Sequence, residues 1–400
     1  MALISVAKLL LVICGLACML FMRRTPATAS LLTEMRTPMA VLVALFAFAL
    51  SLFWTVAPQP DAVESLAKYG KLILIVLMVV LIRDRREASY ALGAFIAGQV
   101  FLLASSWMLF AHLPVPWATS RMALAEYAVF SNYLGQGIIS AVFAAICWHL
   151  RAHAFGRFGR FGRKLAIFLA LAALVNVFFV LSGRSGHVVA LALLSMAIAW
   201  ELPKKYRAVA ALLPFFLALA LFFSSNKVRD RLTQVKTEVE SYSTQVEPVT
   251  SSGFRLNMWR RALQSIGQNP LAGSGVGSWG SEFNRLQHAE NPAYIDTGSK
   301  GNPHQEYLLW GVQLGIPGIL LYMGLLFSVL RDTLKMEPSY ARATQSTLAA
   351  LAIASLFNSS LYDAHIGDFF CILLGLLLAT GLNKTFQQNI PKHHRYKQAA

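Results

Sequence analysis

Charge is in short supply in this sequence, and cysteine is rarer still. Only 14% of the 400 residues are Asp, Glu, Lys or Arg, where an ordinary soluble domain carries about 25%. With 56% of the chain hydrophobic, that shortage excludes a water-soluble globular domain. The four cysteines, Cys14, Cys18, Cys147 and Cys371, all fall inside apolar runs, where a thiol behaves as a small hydrophobe. None is left for the long polar segment, so neither a disulfide nor a thiolate metal site is expected there. Acids are the scarcer sign, 19 against 35 Lys and Arg, for a formal net charge of +16. Such a balance can mark a nucleic-acid binder. Here the cations sit in short links between apolar runs, the bias expected of cytoplasmic loops. The link 151–164 (RAHAFGRFGRFGRK) is the extreme, with Arg151, Arg157, Arg160, Arg163 and Lys164 and no acid. It reads as a turn beside anionic headgroups. Membrane lipids are the expected partners of these charges, and no nucleic acid is.

What the sequence does contain is a series of apolar stretches of about 20 residues, the length that crosses roughly 30 Å of hydrocarbon. Spans are expected near 2–22, 38–57, 64–82, 87–111, 127–150, 164–182, 186–201, 206–224, 304–330, 341–361 and 366–382. Every second connection is basic. The series runs through Arg23, Arg24 and Arg36, then Arg83, Arg85 and Arg86, then the 151–164 link. Lys204, Lys205 and Arg207 follow, then Arg331, Lys335 and Arg342, then the tail from Lys384. These connections face the cytoplasm and the others, including 225–303, face outward. On this count the N-terminus lies outside. The cations of the first run follow it, at Arg23 and Arg24, which favours a retained span over a signal peptide. The expected fold is all-α, a polytopic transmembrane helix bundle of about 11–12 spans. Its parts are N-terminal helices over 1–224, an outer loop over 225–303, and C-terminal helices with a basic tail over 304–400.

The outer loop is the one long hydrophilic segment. Phe254, Met258, Trp259, Leu263, Ile266, Trp279, Phe283 and Tyr294 are too many apolar anchors for a linker, and long loops of this kind are often functional. Its start, KVRDRLTQVKTEVESYS, reads as helical. Residues 253–267 (GFRLNMWRRALQSIG) read as a second, amphipathic helix, with Ser251 or Ser252 as N-cap and Asn269-Pro270 as the stop. Met258, Trp259, Ala262, Leu263 and Ile266 recur at helical spacing and form its apolar face. Arg260 and Arg261 flank that face, where they could snorkel to phosphate. The Gly-rich run GSGVGSWG (273–280) could cradle phosphate with backbone N–H groups, but without a strand–helix context a tight turn is the better reading.

Three ionisable residues stand out because the bilayer makes them costly. A charge at its centre costs at least ~2.5–3.5 kcal/mol. Arg184, in LSGRSG, is therefore expected at the interface, aimed at an anion. Arg255 lies near the start of the amphipathic helix. His304, in GNPHQEYL, sits where the loop re-enters the membrane, and taken alone it could equally be a structural histidine. Trp259, Trp279 and Trp310 could stack on sugars or belong to an interfacial belt. Gly315 and Gly318 suit close helix packing. Asp363, His365 and Asp368 share the last outer connection, where metal ligation is the less favoured reading.

Taken together, two segments resemble the O-antigen ligase and polymerase superfamily. In FRLNMWRRALQSIGQNPLAGSGVGSW, Arg255 and Trp259 fit that family's Arg-x-x-x-Trp, followed by Pro-Leu-x-Gly-x-Gly from Pro270. In PHQEYLLWGVQLGIPG, His304-Gln305, nine residues and then Gly315-Ile316-Pro317-Gly318 fit the ligase signature. LSGRSG resembles the turn that precedes the loop. The resemblance runs in order over about 184–318. Family members usually have twelve spans with both ends cytoplasmic, and 2–22 resembles their second span.

The resemblance implies a GT-C-like glycosyltransferase of the bacterial inner membrane, with its active site facing the periplasm. It would transfer O-antigen polysaccharide from an undecaprenyl-diphosphate-linked donor to a sugar hydroxyl of lipid A–core, with inversion and with neither metal nor other cofactor. It further implies His304 as catalytic base and Arg184 and Arg255 as the diphosphate clamp. Arg121, Arg260, Trp259 and Gln305 are further candidates for substrate contact. The alternatives are a polymerase of the same superfamily, a protein O-oligosaccharyltransferase and, from a different class, a multispan lipid or solute transporter. A transporter would carry its ionisable residues near the midplane, whereas here they crowd the outer boundary.

Overall fold

The structure, a computed structural model, describes residues 32–121, 123–130, 132–153, 155–207, 251–294 and 301–382, with Ile13, Cys14, Ala17, Val209, Leu212 and Phe216 besides. Apart from isolated positions, the runs 2–22 and 206–224 and the helix expected over 227–243 lie outside the described residues. Among the described residues the regular structure is entirely helical. Five helical stretches among the described residues, Arg86–Phe110, Tyr133–Leu150, Gly159–Val180, Glu306–Thr333 and Ala364–Leu382, are long and apolar enough to cross a membrane. The chain is a multi-pass membrane protein.

Helix α1 (Thr37–Leu50) and the amphipathic α2 (Gln59–Tyr69) meet beside the 251–294 segment, at what is called here the loop end. A 3-10 turn, Gly70–Leu72, leads from α2 into α3 (Ile73–Leu81), which runs to the opposite, basic end. There Asp84 accepts from the N–H groups of Arg86 and Glu87 and starts α4 (Arg85–Phe110), satisfying donors that a helix start otherwise leaves unpaired. Back at the loop end, the connection holds the single turn α5 (Ala123–Glu126), and Asn132 caps α6 (Tyr133–Leu150). Helix α7 (Gly159–Val175) returns and closes in a π-turn, Asn176–Val180, before α8 (Arg184–Glu201).

The loop helices α9 (Ser251–Gln268) and α10 (Trp279–Glu290) pack on each other and on α11 (Glu306–Thr333). Helices α12 (Pro338–Ala354) and α13 (Ala364–Leu382) complete the described bundle. On α9, Met258, Ala262 and Ile266 are buried as the periodicity requires, but Leu263 is 60% exposed. Arg261 takes a buried place instead. Its guanidinium donates to Gln287 (2.6 Å) and Gln264 (3.0 Å) and pairs with Glu290. The cation expected to snorkel therefore ties α9 to α10.

Two expected spans differ from the helices found. The run 304–330 is broken at Gly315, whose φ of 70° and ψ of −162° suit glycine and almost nothing else. A Cβ there would lie 2.5 Å from the Pro270 carbonyl oxygen. Pro317, two residues on, has no N–H to restore the helical ladder. The Ile316 N–H donates instead to the Pro270 carbonyl (2.7 Å). The run 341–361 ends as helix at Ala354. Residues 355–363, which include Leu356, Phe357 and Leu361, form a connection despite their hydropathy.

The Gly-rich run is a wedge. Ser274 and Gly275 donate to the carbonyls of Val312 and Gln313, Gly277 to the Gln313 side chain, and Val276 to Ser51. Its N–H groups are thus turned into the protein, away from any phosphate, and the tight-turn reading is the one found. Beneath it, Phe48 stacks on Tyr69 with ring centroids 3.8 Å apart, and Trp310 and Tyr322 extend the cluster. Buried apolar side chains of this size contribute about 1.5–3 kcal/mol each when taken out of water. In lipid, close packing carries more of the stability.

Candidate active site

Arg184 is the first residue of α8, and Gly183 before it offers no side-chain cap. The opening N–H groups of an 18-residue helix carry partial positive charge. A cation at that position adds to it and disfavours the helix, unless an anion binds. The turn is held close to α6. A Cβ on Gly183 would lie 3.1 Å from the Tyr133 carbonyl oxygen, and one on Gly186 only 2.9 Å from the Gly137 Cα. Arg184 itself is exposed.

Arg255 reaches the same place from α9. It is half-buried, and burial holds its guanidinium below its ordinary value; Tyr133 opposes the shift and the like charge of Arg184 adds to it. Arg184 and Tyr133, the first residues of α8 and α6, thus both act on the charge of Arg255. Neither has a carboxylate partner among the described residues. Two guanidinium groups this placed are matched by one multiply charged anion, and a diphosphate fits that description.

His304 is brought in through Trp259, one turn beyond Arg255 on α9. The Trp259 indole N–H donates to the Pro303 carbonyl (3.1 Å), so the helix bearing Arg255 fastens the chain next to the imidazole. His304 takes a left-handed backbone, φ 52°, at a cost of about 1 kcal/mol for a residue with a Cβ. Its N–H donates to Asn302 Oδ1 (2.9 Å), and its Nδ1 lies 3.4 Å from Asn358 Oδ1. Asn358 Nδ2 in turn donates to Asp363 Oδ2 (3.1 Å), and Asn302 Nδ2 to Asp363 Oδ1 (3.4 Å). Burial pushes the Asp363 carboxyl above its ordinary value, opposed by His304, Asn358, Lys71 and Lys68. The Lys71 ammonium donates to the carbonyls of Tyr362 (3.1 Å) and Asp363 (2.8 Å).

The remaining candidates fall into two groups. Arg121 is exposed in the turn before α5, and the Glu126 carboxylate that ends α5 accepts from Ser182 in the Arg184 turn. That connection borders the arginine pair. Trp259, Gln305 and Arg260 are engaged within the protein. Gln305 Oε1 accepts from the Leu308 N–H (2.6 Å) and caps α11, and Arg260 faces Glu290 (3.5 Å). Asn302, Asn358, Lys71 and Asp363 beside His304 were not singled out as site residues from sequence, except that Asp363 was noted as a less favoured metal ligand. An uncharged amide gives no cost signal, and the four come from three separate stretches of the chain.

Comparison with known proteins adds one finding to this geometry. The family model described as O-antigen ligase matches residues 167–323. That stretch is similar to the O-antigen ligase family. It contains Arg184, Arg255 and His304, the connecting loop and the break at Gly315. This similarity supports an O-antigen ligase-type function in general terms. No curated protein matches the chain.

Proposed function

We propose that this protein transfers O-antigen polysaccharide from undecaprenyl diphosphate to a sugar hydroxyl of lipid A–core at the periplasmic face of the bacterial inner membrane. The reading is supported by two arginines with no carboxylate partner among the described residues, and by the hydrogen bond from Trp259, one turn beyond Arg255, to the residue before His304. In this mechanism the acceptor hydroxyl oxygen attacks the anomeric carbon on the face opposite the diphosphate. The carbon–oxygen bond to phosphate breaks, and its electron pair leaves on the undecaprenyl diphosphate. The hydroxyl proton passes to His304, whose imidazole acts as the general base. Arg184 and Arg255 stabilise the charge that grows on the diphosphate, each through charge-assisted hydrogen bonds of about 1.5–3 kcal/mol. Their fixed cations take the part that a metal plays elsewhere. One displacement inverts the anomeric centre.

The test is reconstitution of the full chain in lipid vesicles with purified undecaprenyl-diphosphate-linked O-antigen and lipid A–core. Ligated lipopolysaccharide is expected from the wild type, and none from His304→Ala at equal incorporation. Chains that lengthen on the lipid carrier, with lipid A–core left untouched, would assign the protein to polymerisation instead. Full transfer by the alanine variant would remove the base.

A further inference from the structure

We infer that Asp363, acting through Asn358 and Asn302, is a positioning residue that fixes the orientation and tautomer of His304. The inference rests on the reading of His304 as the base. It begins from an asymmetry between side chains. An ionised carboxylate can only accept hydrogen bonds, whereas a side-chain amide presents an oxygen on one side and an NH2 on the other. Asp363 receives Nδ2 of Asn358 at 3.1 Å and Nδ2 of Asn302 at 3.4 Å. With both NH2 groups turned to the carboxylate, both amide oxygens must turn to His304. Asn302 Oδ1 accepts its backbone N–H at 2.9 Å, and Asn358 Oδ1 faces its Nδ1 at 3.4 Å.

An oxygen facing Nδ1 requires the proton to be there. The neutral ring then carries its lone pair on Nε2, the atom left to receive the acceptor proton. Reversing the polarity of Asn358 would place an NH2 against Nδ1, move the ring proton to Nε2 and leave the base facing the wrong way. A base held in the wrong tautomer loses most of its catalytic effect even when its position is unchanged.

The connection 355–363 that carries this relay is itself fastened to α11. Glu306, two residues after His304, is fully buried and accepts from the N–H groups of Leu361 (2.9 Å) and Tyr362 (3.2 Å) through one oxygen. Its other oxygen accepts from the Trp310 indole (2.9 Å). Its own N–H donates to the Ser355 carbonyl (2.9 Å). The relay and the histidine thus belong to one tied unit. Lys71 adds a cation to the carboxylate's surroundings through the Tyr362 and Asp363 carbonyls, and Lys68 lies over the Tyr362 ring, 4.6 Å from its centre.

The experiment uses the full-length protein in vesicles, with undecaprenyl-diphosphate-linked O-antigen and lipid A–core as substrates. Asn358→Ala and Asp363→Asn should each lower kcat by about 10- to 100-fold, the size of effect typical of groups that orient a reactive side chain, with the donor KM within twofold. Combined, they should lower kcat little further than Asn358→Ala alone, because residues acting in series do not add. Asp363→Asn conserves volume, so a melting temperature near that of the wild type separates loss of polarity from loss of fold. Retention of kcat within twofold in both single variants, while His304→Ala is inactive, overturns the relay and leaves the base in place. A loss confined to donor KM, or losses that multiply in the double variant, also overturns it. Activity in His304→Ala would instead overturn the reading on which the relay rests.

Discussion

A half-buried guanidinium suits an anion from outside the chain, and Arg255 is half-buried with no carboxylate partner among the described residues. Lysine would keep the charge there but lose the planar fork that grips two oxygens at once. Arg255→Ala should therefore raise the donor KM about tenfold or more, with Arg255→Lys in between; steady-state rates against donor concentration measure both. Glu282 on α10 is occupied differently. It is buried, yet hydrogen bonds from Arg285 (2.8 and 3.1 Å) and Ser265 (2.7 Å) outweigh that burial and hold its carboxyl below its ordinary value. A depressed carboxyl pKa gives stability that is present above the unfolded value and is lost as pH falls through the folded one. Resistance to thermal unfolding should therefore fall in the wild type as pH drops below about 4.5. Glu282→Gln should cost about 1–3 kcal/mol at neutral pH and show a flatter pH dependence. The cations of the site were legible in the sequence because charge at a bilayer boundary is costly enough to need a reason. Asn302 and Asn358 were not, since an uncharged amide carries no such cost, and Asn358 meets His304 only through the packing of segments 54 residues apart.

At the scale of elements, the anion site depends on how closely two helices approach. Gly186 on α8 leaves no room for a Cβ against Gly137 of α6, and a backbone atom cannot swing aside as a side chain can. Gly186→Ala should displace the start of α8 and with it Arg184, lowering donor use several-fold and the melting temperature by a few degrees. Gly98→Ala on α4, where a Cβ meets nothing within 4 Å, is the matched control. It should stabilise slightly, by up to about 1 kcal/mol from helix propensity, and leave transfer unchanged. The existence of most described helices was legible from hydropathy and capping residues. Their interruptions were less so. Leu356, Phe357 and Leu361 extend the apolar signal of α12 past its end, which hid Asn358 inside an expected span. Gly315 was expected to assist packing, but its break lets the loop bond directly to α11.

For the molecule as a whole, α11 joins the site to the far end of the bundle. Beyond its break at Gly315, residues 316–333 extend about 27 Å at 1.5 Å per residue, with His304 just before the start of α11 and Asp332 near its finish. Asp332 is buried and caps α1 from almost three hundred residues away, accepting from the N–H groups of Arg36 (2.9 Å) and Thr37 (2.9 Å) and the Thr37 hydroxyl (2.6 Å). Removing that acceptor leaves several donors unpaired in a site closed to water, each costly by itself. Asp332→Ala should destabilise the fold by about 2–4 kcal/mol, read as a lower melting temperature in detergent. Because the lesion lies a full span from His304, protein that remains folded should keep the wild-type kcat and donor KM. A fall in kcat at unchanged folded fraction would mean that α11 couples its two ends, and would contradict the view of the site as a unit fastened locally by Trp259, Glu306 and the wedge at Gly315.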